Sequence, residues 1–343
     1  MYKMPIQKIK TEIPVYIAEL RLLERSFSSL GRDEWDNFVL ASGGSFLGCW
    51  AVVKARRLVG TVRLFEFFID LESRAPQKVG QCAVAVAWGK VTFLDRIHLK
   101  PAQRHLWDQC FKLIVQRFGA RAYHYGSHWN HEDRSRLGAI PGFLTQTMLD
   151  KQFHLDLIDF HDWAGFPAYR RGISENIRRD YRKARNTSAR VETRFGLAAL
   201  RDVFALVMLR GQVMHKNRVR FSSFVDYFLH GAKLAIFAKN GFITTVRMKK
   251  RCYSAFFGVQ LGSNLYYLSG GTTKNRHGFG SYLFLTLIEN WFAKHPSGKF
   301  IMGPARGRDD PNEYTGGNLL YRRKLRVISV NGVQFELNVK PIR

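Results

Sequence analysis

The alternation of apolar and polar positions is most regular in the C-terminal half of the chain. A short apolar run at 265–268 predicts a buried strand, and a polar turn with two glycines follows at 275–280. From about Ser281 onward, apolar residues recur every three or four positions, as on one face of a helix. These positions are Tyr282, Leu285, Ile288 and Phe292. The segment 265–294 therefore predicts a strand, a glycine turn and an amphipathic helix.

The same periodicities divide the rest of residues 165–343. Helical spacing predicts helices at 175–187, 197–211 and 223–231. Two strands, 234–238 and 242–248, are expected as a hairpin around Asn240-Gly241, a favoured two-residue turn. Further strands are predicted at 254–261 and 300–303, and a closing hairpin is expected to turn at Asn331-Gly332.

Residues 1–160 show a weaker version of this order. We expect a lead-in strand and a helix within 1–30, with Leu20, Leu23 and Phe27 on one helical face. Apolar strands follow between 46 and 94, and a helix is predicted at 102–118. The segment 43–48, GGSFLG, has the composition of a phosphate loop, but it precedes an expected strand instead of a helix. We interpret it as a turn.

The glycine turn before the long helix is suited to binding an anion. Glycine leaves the backbone amides unshielded, and the N-terminus of a helix carries partial positive charge. A cofactor pyrophosphate would contact the turn and the first residues of the helix. These are Asn275, Arg276, His277, Gly278, Phe279, Gly280 and Ser281. The alternative is a turn that only lets a helix leave a strand.

A strongly basic helix joins the two halves. Ser174 can cap it, and Ile177, Tyr181 and Ala184 form a narrow apolar stripe. Most of the other positions are cationic, and Arg178, Arg179, Arg182 and Lys183 could grip the phosphates of an anionic substrate. A solvated charged face explains the same pattern equally well.

These features resemble the GNAT superfamily of N-acetyltransferases, and in particular the tandem-GNAT, FemAB-like proteins. The turn is similar to the GNAT pyrophosphate loop, with Gly278 and Gly280 in place and Asn275 where the family has Gln or Arg. The sequence ISENIRRDYRKARN resembles the basic helix that opens the FemAB-like C-terminal domain. In these families the strand at 300–303 leads to a glycine-rich loop and a Tyr-Lys pair, which here reads Tyr321-Arg322.

The resemblance implies an α/β fold of two tandem GNAT-like domains, each a mixed, mostly antiparallel sheet flanked by helices. Residues 1–164 would be a degenerate N-terminal copy, and residues 165–343 would hold the site. Relatives include BioF2-like acetyltransferase domains and proteins tied to peptidoglycan or exopolysaccharide synthesis. They transfer an acyl group from acyl-CoA, such as acetyl-CoA, or an aminoacyl group from aminoacyl-tRNA to an amine.

In such a reaction an amine attacks an activated carbonyl, and backbone N–H groups near a splayed strand hold the oxyanion. Tyr266 and Tyr267 point to opposite faces of their strand, so one of them would face the cleft, where its phenol could protonate the leaving group. Asp309 and Glu313 could orient or deprotonate the amine, or simply form salt bridges with neighbouring arginines. Arg322 could extend the anion-binding surface.

Charge and cysteine content indicate the compartment and the kind of partner. Residues 1–160 carry 22 Lys+Arg and 16 Asp+Glu, which leaves 32 and 11 of the totals of 54 and 27 for residues 161–343. This asymmetry predicts an anionic partner, such as a phosphorylated or nucleotide-linked sugar, tRNA or a lipid-linked precursor. Four scattered cysteines, with no signal peptide and no apolar run long enough to span a bilayer, predict a cytosolic protein, with membrane association on the cytosolic face left open.

His124, His128, His131 and Glu132 could bind zinc only if they shared one helical face. Gly126 and the neighbouring aromatic residues favour a loop with packed histidines, so we expect no metal. The competing functional hypothesis is a non-catalytic protein that binds nucleic acid, another polyanion or an anionic membrane through its basic surface.

Overall fold

The order of helices and strands occurs twice along the chain. The structure, a computed structural model, describes residues 19–71, 74–127, 129, 137–273, 277–305 and 321–342. Its first repeat comprises β1 (Glu19–Arg25), α1 (Arg32–Ala41), α2 (Trp50–Arg56), β2 (Thr61–Leu71), β3 (Arg74–Ala87), β4 (Lys90–Phe93), the short β5 (His98–Leu99), α3 (Trp107–Phe118), β6 (Ala122–Tyr125) and β7 (Phe143–Asp159).

The second repeat has the same order without a counterpart of the short β5. It comprises β8 (Arg190–Phe195), α6 (Leu200–Lys216), α7 (Ser223–Ile236), β9 (Gly241–Met248), β10 (Arg251–Leu261), β11 (Asn264–Thr272), α8 (Phe279–Lys294), β12 (Lys299–Ala305) and β13 (Ile328–Pro341). The helices α4 (Phe166–Gly172) and α5 (Glu175–Arg185) connect the repeats. The proposed boundary at 164/165 falls just before α4.

Among the described residues, the strands form one thirteen-stranded sheet with the order β1-β2-β3-β4-β6-β13-β7-β12-β11-β10-β9-β8, and β5 pairs with β3. Most neighbours are antiparallel, but β4 pairs with β6 and β11 pairs with β12 in parallel. Parallel neighbours need a crossover connection, and α3 and α8 supply it in the two repeats. The structure confirms the predicted α/β class with mixed, mostly antiparallel pairing.

The two repeats exchange their last strands. The C-terminal strand β13 lies between β6 and β7 of the first repeat, where Phe335 is opposite Tyr125 and Ile328 is opposite Leu157. In turn, β7 lies between β13 and β12. One hydrophobic cluster also joins the halves, because Phe46 of the first repeat packs against Tyr266 of the second. The site at β11–β12 is therefore supported by both halves.

Several local predictions are wrong. The segment around Leu20 and Leu23 is strand β1 instead of a helix, and residues 234–236 complete helix α7 instead of forming a strand. A short apolar run is compatible with both a helix and a strand, and in this protein residues 234–236 continue helix α7. Asn331-Gly332 is not a turn, because both residues lie in the middle of β13 and pair with His154 and Phe153.

Candidate active site at the β11–β12 splay

The parallel strands β11 and β12 separate in the middle of the sheet. Their pairing covers three residue pairs and ends at Tyr266 opposite Ile301. Beyond this point β11 continues beside β10, and β12 continues beside β7. Such a splay exposes backbone groups of both strands to a bound molecule, because neither strand continues to pair with the other. The gap opens at the carboxyl ends of the two strands.

A β-bulge lies at the edge of this gap. In the β10–β11 ladder Phe257 is opposite Ser269 and Gly258 is opposite Tyr267, so Leu268 is an extra residue. A second irregularity lies across the gap in the β12–β7 ladder. Ile301 and Gly303 pair with consecutive residues of β7, so Met302 between them is an extra residue. Bulge residues leave the regular hydrogen-bond ladder, and bulges are common next to active sites. Their N–H groups can stabilise a negatively charged oxygen.

The glycine turn leads from β11 into α8. Gly278 is the N-cap residue with φ 73° and ψ 33°, a left-handed conformation that favours glycine. The helix begins at Phe279, two residues before the predicted start at Ser281. The first amide groups of a helix have no intrahelical acceptor and can bind an anion. Gly280 leaves room there, because the nearest atoms to an added Cβ would be those of Thr272, at 3.6 Å, an ordinary contact distance.

Asp180 of α5 lies directly against this turn, and the sequence analysis did not identify it. A Cβ on Gly278 would overlap the Asp180 side chain, so glycine is required here by close approach as well as by φ. A carboxylate at the N-terminus of α8 interacts favourably with the helix dipole. It also competes with any other anion for the same position.

Tyr321 lies in a helical turn at 321–324 and points toward the same region. Its ring packs on Phe284 with centroids 5.6 Å apart. Its Oη is buried and, among the described residues, meets no partner in hydrogen-bonding geometry, although the Ser281 hydroxyl lies near enough to lower the pKa. Burial dominates and raises the pKa of Tyr321, and the nearby Asp180 and Tyr267 raise it further. A phenol with a raised pKa stays protonated, so its O–H can donate a hydrogen bond to a bound molecule.

Comparison with solved structures assigns the architecture. The structure of FemX superposes with a TM-score of 0.64 over 92% of this chain and 96% of that chain, at 11% sequence identity. The structure of L-PGS from Bacillus licheniformis gives a TM-score of 0.51 over 90% of this chain and 91% of that chain, at 11% identity. The chain has the tandem GNAT, FemAB-like fold.

A conserved protein of unknown function from Bacteroides thetaiotaomicron also superposes on this chain, with a TM-score of 0.54, 9% identity and coverage of 91% and 98% of the two chains. No protein-family profile matches the sequence, and no curated protein matches it either. At these identities the likeness establishes the fold alone. The splay, the bulge and the glycine turn all lie in the second GNAT repeat.

The two candidate tyrosines lie on opposite faces of β11 in this repeat. Tyr267 is half-buried on the α8 side, where it packs against Phe256 and Phe284. Tyr266 is 1% exposed in the shared core, against Phe46 and Trp129, and burial raises its pKa. We therefore retain Tyr267 as a candidate and leave Tyr266 out.

The basic helix α5 packs on α8 through the predicted stripe of Ile177, Tyr181 and Ala184, all buried. Tyr181 donates a hydrogen bond to Glu289 of α8 at 2.8 Å, and burial followed by this bond raises the pKa of Tyr181 to about 12. The cations lie on the other faces. Arg179, Arg182 and Lys183 are exposed, and Arg178 is half-buried.

Arg322 has a different role from the other cations. It is 7% exposed and donates to the Asp156 carboxylate at 3.0 Å and to the Met302 carbonyl at 2.6 Å. It also contacts the carbonyls of Gly303 and Pro304. These acceptors hold the guanidinium inside the protein, where it links the 321–324 turn to β12 and β7. We leave it out of the proposed anion-binding surface.

The remaining predicted residues divide into two groups. His277 stacks on Phe279 with ring centroids 5.3 Å apart, at the start of α8. Asn275, Arg276, Asp309 and Glu313 lie outside the described residues, as do His128, His131 and Glu132. Within the part of the chain that the structure describes, no three His, Cys, Asp or Glu side chains converge as metal ligands. No described helix is long and apolar enough to cross a membrane.

Proposed function

We propose that this protein is an N-acyltransferase of the GNAT, FemAB-like type. It would transfer an acyl or aminoacyl group from a CoA thioester or a charged tRNA to an amine of an anionic acceptor. The observation that carries this proposal is the splay of β11 and β12 at the Leu268 bulge, with the N-terminus of α8 beside it. This arrangement provides backbone donors for an oxyanion and a binding place for an anionic group of the donor.

The chemistry follows from these groups. The amine nitrogen attacks the carbonyl carbon, and N–H groups at the Leu268 bulge stabilise the resulting oxyanion. As the bond to the leaving sulfur or oxygen breaks, a neutral phenol, Tyr321 or Tyr267, gives it a proton. The proton of the attacking amine passes to a carboxylate, for which Asp309 and Glu313 remain our candidates. Much of the rate would come from holding donor and acceptor together.

Between the two donors, the cations of α5 favour charged tRNA. Asp180 beside Gly278 would weaken the binding of any single anionic group at that point, whereas a polynucleotide also contacts other cations. The exposed Arg179, Arg182 and Lys183 suit the phosphates of a polynucleotide. For the acceptor we propose a phosphorylated or nucleotide-linked sugar or a lipid-linked precursor. The four cysteines are free thiols, and we propose a cytosolic location.

Calorimetric titration with acetyl-CoA, with charged tRNA and with the same tRNA uncharged tests the donor. We expect saturable binding of charged tRNA, weaker binding of uncharged tRNA, and weak binding of acetyl-CoA. Gly280→Trp should lower donor affinity at least tenfold, on the order of 1.4 kcal/mol, because the indole fills the space before the first turn of α8. Gly280→Ala is the matched control and should bind like the wild type, because its Cβ has an ordinary contact distance to Thr272.

Thermal unfolding of both variants separates a blocked site from a misfolded protein. Tight acetyl-CoA binding that is lost in Gly280→Trp would identify CoA as the donor and would still support a transferase. Equal binding of charged tRNA, uncharged tRNA and an unrelated polyanion, unaffected by Gly280→Trp, would contradict the transferase and favour a polyanion-binding protein.

A further inference from the structure

Helix α7 is turned with its apolar residues toward solvent. Its inward positions include Asp226 and His230, which are 9% and 1% exposed. Phe224 and Phe228, by contrast, are 73% and 59% exposed, and the rings contact each other with centroids 4.7 Å apart. The neighbouring Val225, Tyr227 and Leu229 are exposed as well. A helix of a soluble protein normally shows the opposite arrangement.

A buried polar network explains why α7 keeps this orientation. His230 Nε2 and the Ser269 hydroxyl on β11 are hydrogen-bonded at 2.7 Å, and His230 Nδ1 contacts the Asp226 carbonyl at 2.8 Å. Arg210 of α6 donates to the Asp226 carboxylate at 2.9 Å. Rotating α7 to bury its phenylalanines would break these bonds and leave charged groups buried without partners, which is strongly unfavourable. The buried polar contacts therefore keep the apolar face of α7 exposed in the folded protein.

Helix α6 extends this apolar face. Leu200, Phe204 and Met208, spaced by four residues, are 40%, 66% and 46% exposed, and Leu197 just before the helix is 65% exposed. We call the outward faces of α6 and α7, from Leu197 to Ile236, the α6–α7 surface. Exposed apolar side chains grouped on two neighbouring helices mark an interaction site more often than chance exposure does.

The charges around the α6–α7 surface have one sign. Asp202 and Asp226 are the acidic residues of segment 195–240, and both are buried. Asp202 is held by Arg194 and Arg247 at 2.7 Å each, and Asp226 by Arg210. The exposed charged residues of the segment are cations. They are Arg201, Lys216, Arg218, Arg220 and Lys239.

We propose that the α6–α7 surface docks the protein on an anionic lipid bilayer. Aromatic and aliphatic side chains would enter the interface while the cations contact lipid phosphates, which is the physical pattern of interfacial helices. A second copy of the chain is a poorer occupant. It would place the same cations against each other, on a protein with a net charge of +27.

Docking through this surface would also orient the candidate active site. Ser269 immediately follows the Leu268 bulge, and its bond to His230 ties α7 to that part of β11. If the proposed transferase function holds, an acceptor amine in or on the bilayer could be presented to the splay. The docking itself does not depend on that function.

Flotation of the full chain with vesicles tests the proposal without donor or acceptor. At about 0.15 M salt, we expect binding to vesicles of phosphatidylcholine and phosphatidylglycerol at roughly three to one, and little binding to phosphatidylcholine alone. Phe224→Ser with Phe228→Ser should weaken vesicle binding about tenfold or more, because two large apolar groups leave the interface. Arg218→Glu with Arg220→Glu should also weaken it at least tenfold.

Leu144→Ser with Met148→Ser is the matched control, because these β7 side chains are 61% and 60% exposed and lie outside the α6–α7 surface. This pair should bind vesicles like the wild type, within about twofold. Equal vesicle binding by the wild type and the Phe224, Phe228 pair would overturn the proposal, as would failure of the wild type to bind anionic vesicles. A dimer in sedimentation that dissociates in the phenylalanine pair would overturn it in favour of a second copy.

Discussion

His98 shows how a glycine-rich loop can serve packing instead of phosphate binding. A Cβ on Gly44 or Gly48 would lie 2.5 Å from an atom of the His98 ring, so both glycines make room for the imidazole. Ser45 donates its N–H and hydroxyl to the Asp95 carboxylate at 2.9 and 2.8 Å. The loop precedes a 3₁₀ turn and α2, so the expected strand was wrong. The segment is not a phosphate loop, because the Asp95 carboxylate already accepts the hydrogen bonds that Ser45 could donate to a phosphate.

The buried imidazole predicts a pH dependence of stability. Burial is the main cause that lowers the pKa of His98 from its usual 6.5 to about 4. As the pH falls, the His98 imidazole of the unfolded chain is protonated before that of the folded protein. The contribution of neutral His98 to the free energy of unfolding is therefore fully present above pH 6.5 and is lost as the pH falls toward 4. The contribution of this residue over that interval is roughly 3 kcal/mol.

Denaturant unfolding of the wild type and His98→Gln at pH 7 and near pH 4.5 measures this contribution. The variant should lose less stability between the two pH values than the wild type. His161→Gln, at an exposed histidine, is the control and should follow the wild type. Identical pH dependence in wild type and His98→Gln would show that His98 is not buried in its neutral form.

Helix α5 packs on the protein through one face and presents cations to solvent on the other. The stripe of Ile177, Tyr181 and Ala184 attaches it to α8, whereas Arg179 and Arg182 are exposed. Charge reversal on the exposed face should leave the free energy of unfolding within about 0.5 kcal/mol per residue. It should still reduce binding of anionic partners, because phosphate contacts depend on these cations.

We expect Arg179→Glu with Arg182→Glu to lower tRNA affinity at least tenfold and to reduce its salt dependence by roughly one to two ions. Lys54→Glu with Arg56→Glu changes net charge equally on exposed positions of α2 and should have a smaller effect. Filter binding at several salt concentrations measures both pairs. If the two pairs weakened binding equally, the total charge of the protein, and not α5, would account for affinity.

At the scale of the whole molecule, the exchanged strands make the two repeats interdependent. Leu337 belongs to the C-terminal strand β13 but is 5% exposed within the hydrophobic cluster of the first repeat. Since β13 pairs with both β6 and β7, neither repeat completes its sheet without the other. The chain should therefore unfold in one cooperative transition.

Leu337→Ala tests this coupling. The cavity should cost about 2 to 5 kcal/mol, and it should shift the unfolding of both repeats together. Circular dichroism and hydrogen exchange read out by segment would report the transitions. Two separate transitions, with only the first repeat destabilised, would show that the repeats fold independently.

The periodicity of apolar residues was sufficient to predict an element correctly where that element has one clear apolar face. The strand–turn–helix at 265–294 and the stripe on α5 were both predicted from spacing, because side-chain direction along a helix or strand follows from backbone geometry. It failed at the end of α7, where a strand was expected from residue 234, and at Asn331-Gly332, which pairs with His154 and Phe153 of β7 instead of forming a turn.

The sequence by itself determined the strand, turn and helix at 265–294, the excess of positive charge in the C-terminal half and the glycine at the start of α8. Only the tertiary structure decided where β11 and β12 separate, that Asp180 lies against Gly278, and that Arg322 is held inside by Asp156. The physical reason is that these features depend on contacts between distant segments, whose geometry arises only when the sheet is assembled. Hydrophobic spacing records which face of an element is buried but not which residue it meets.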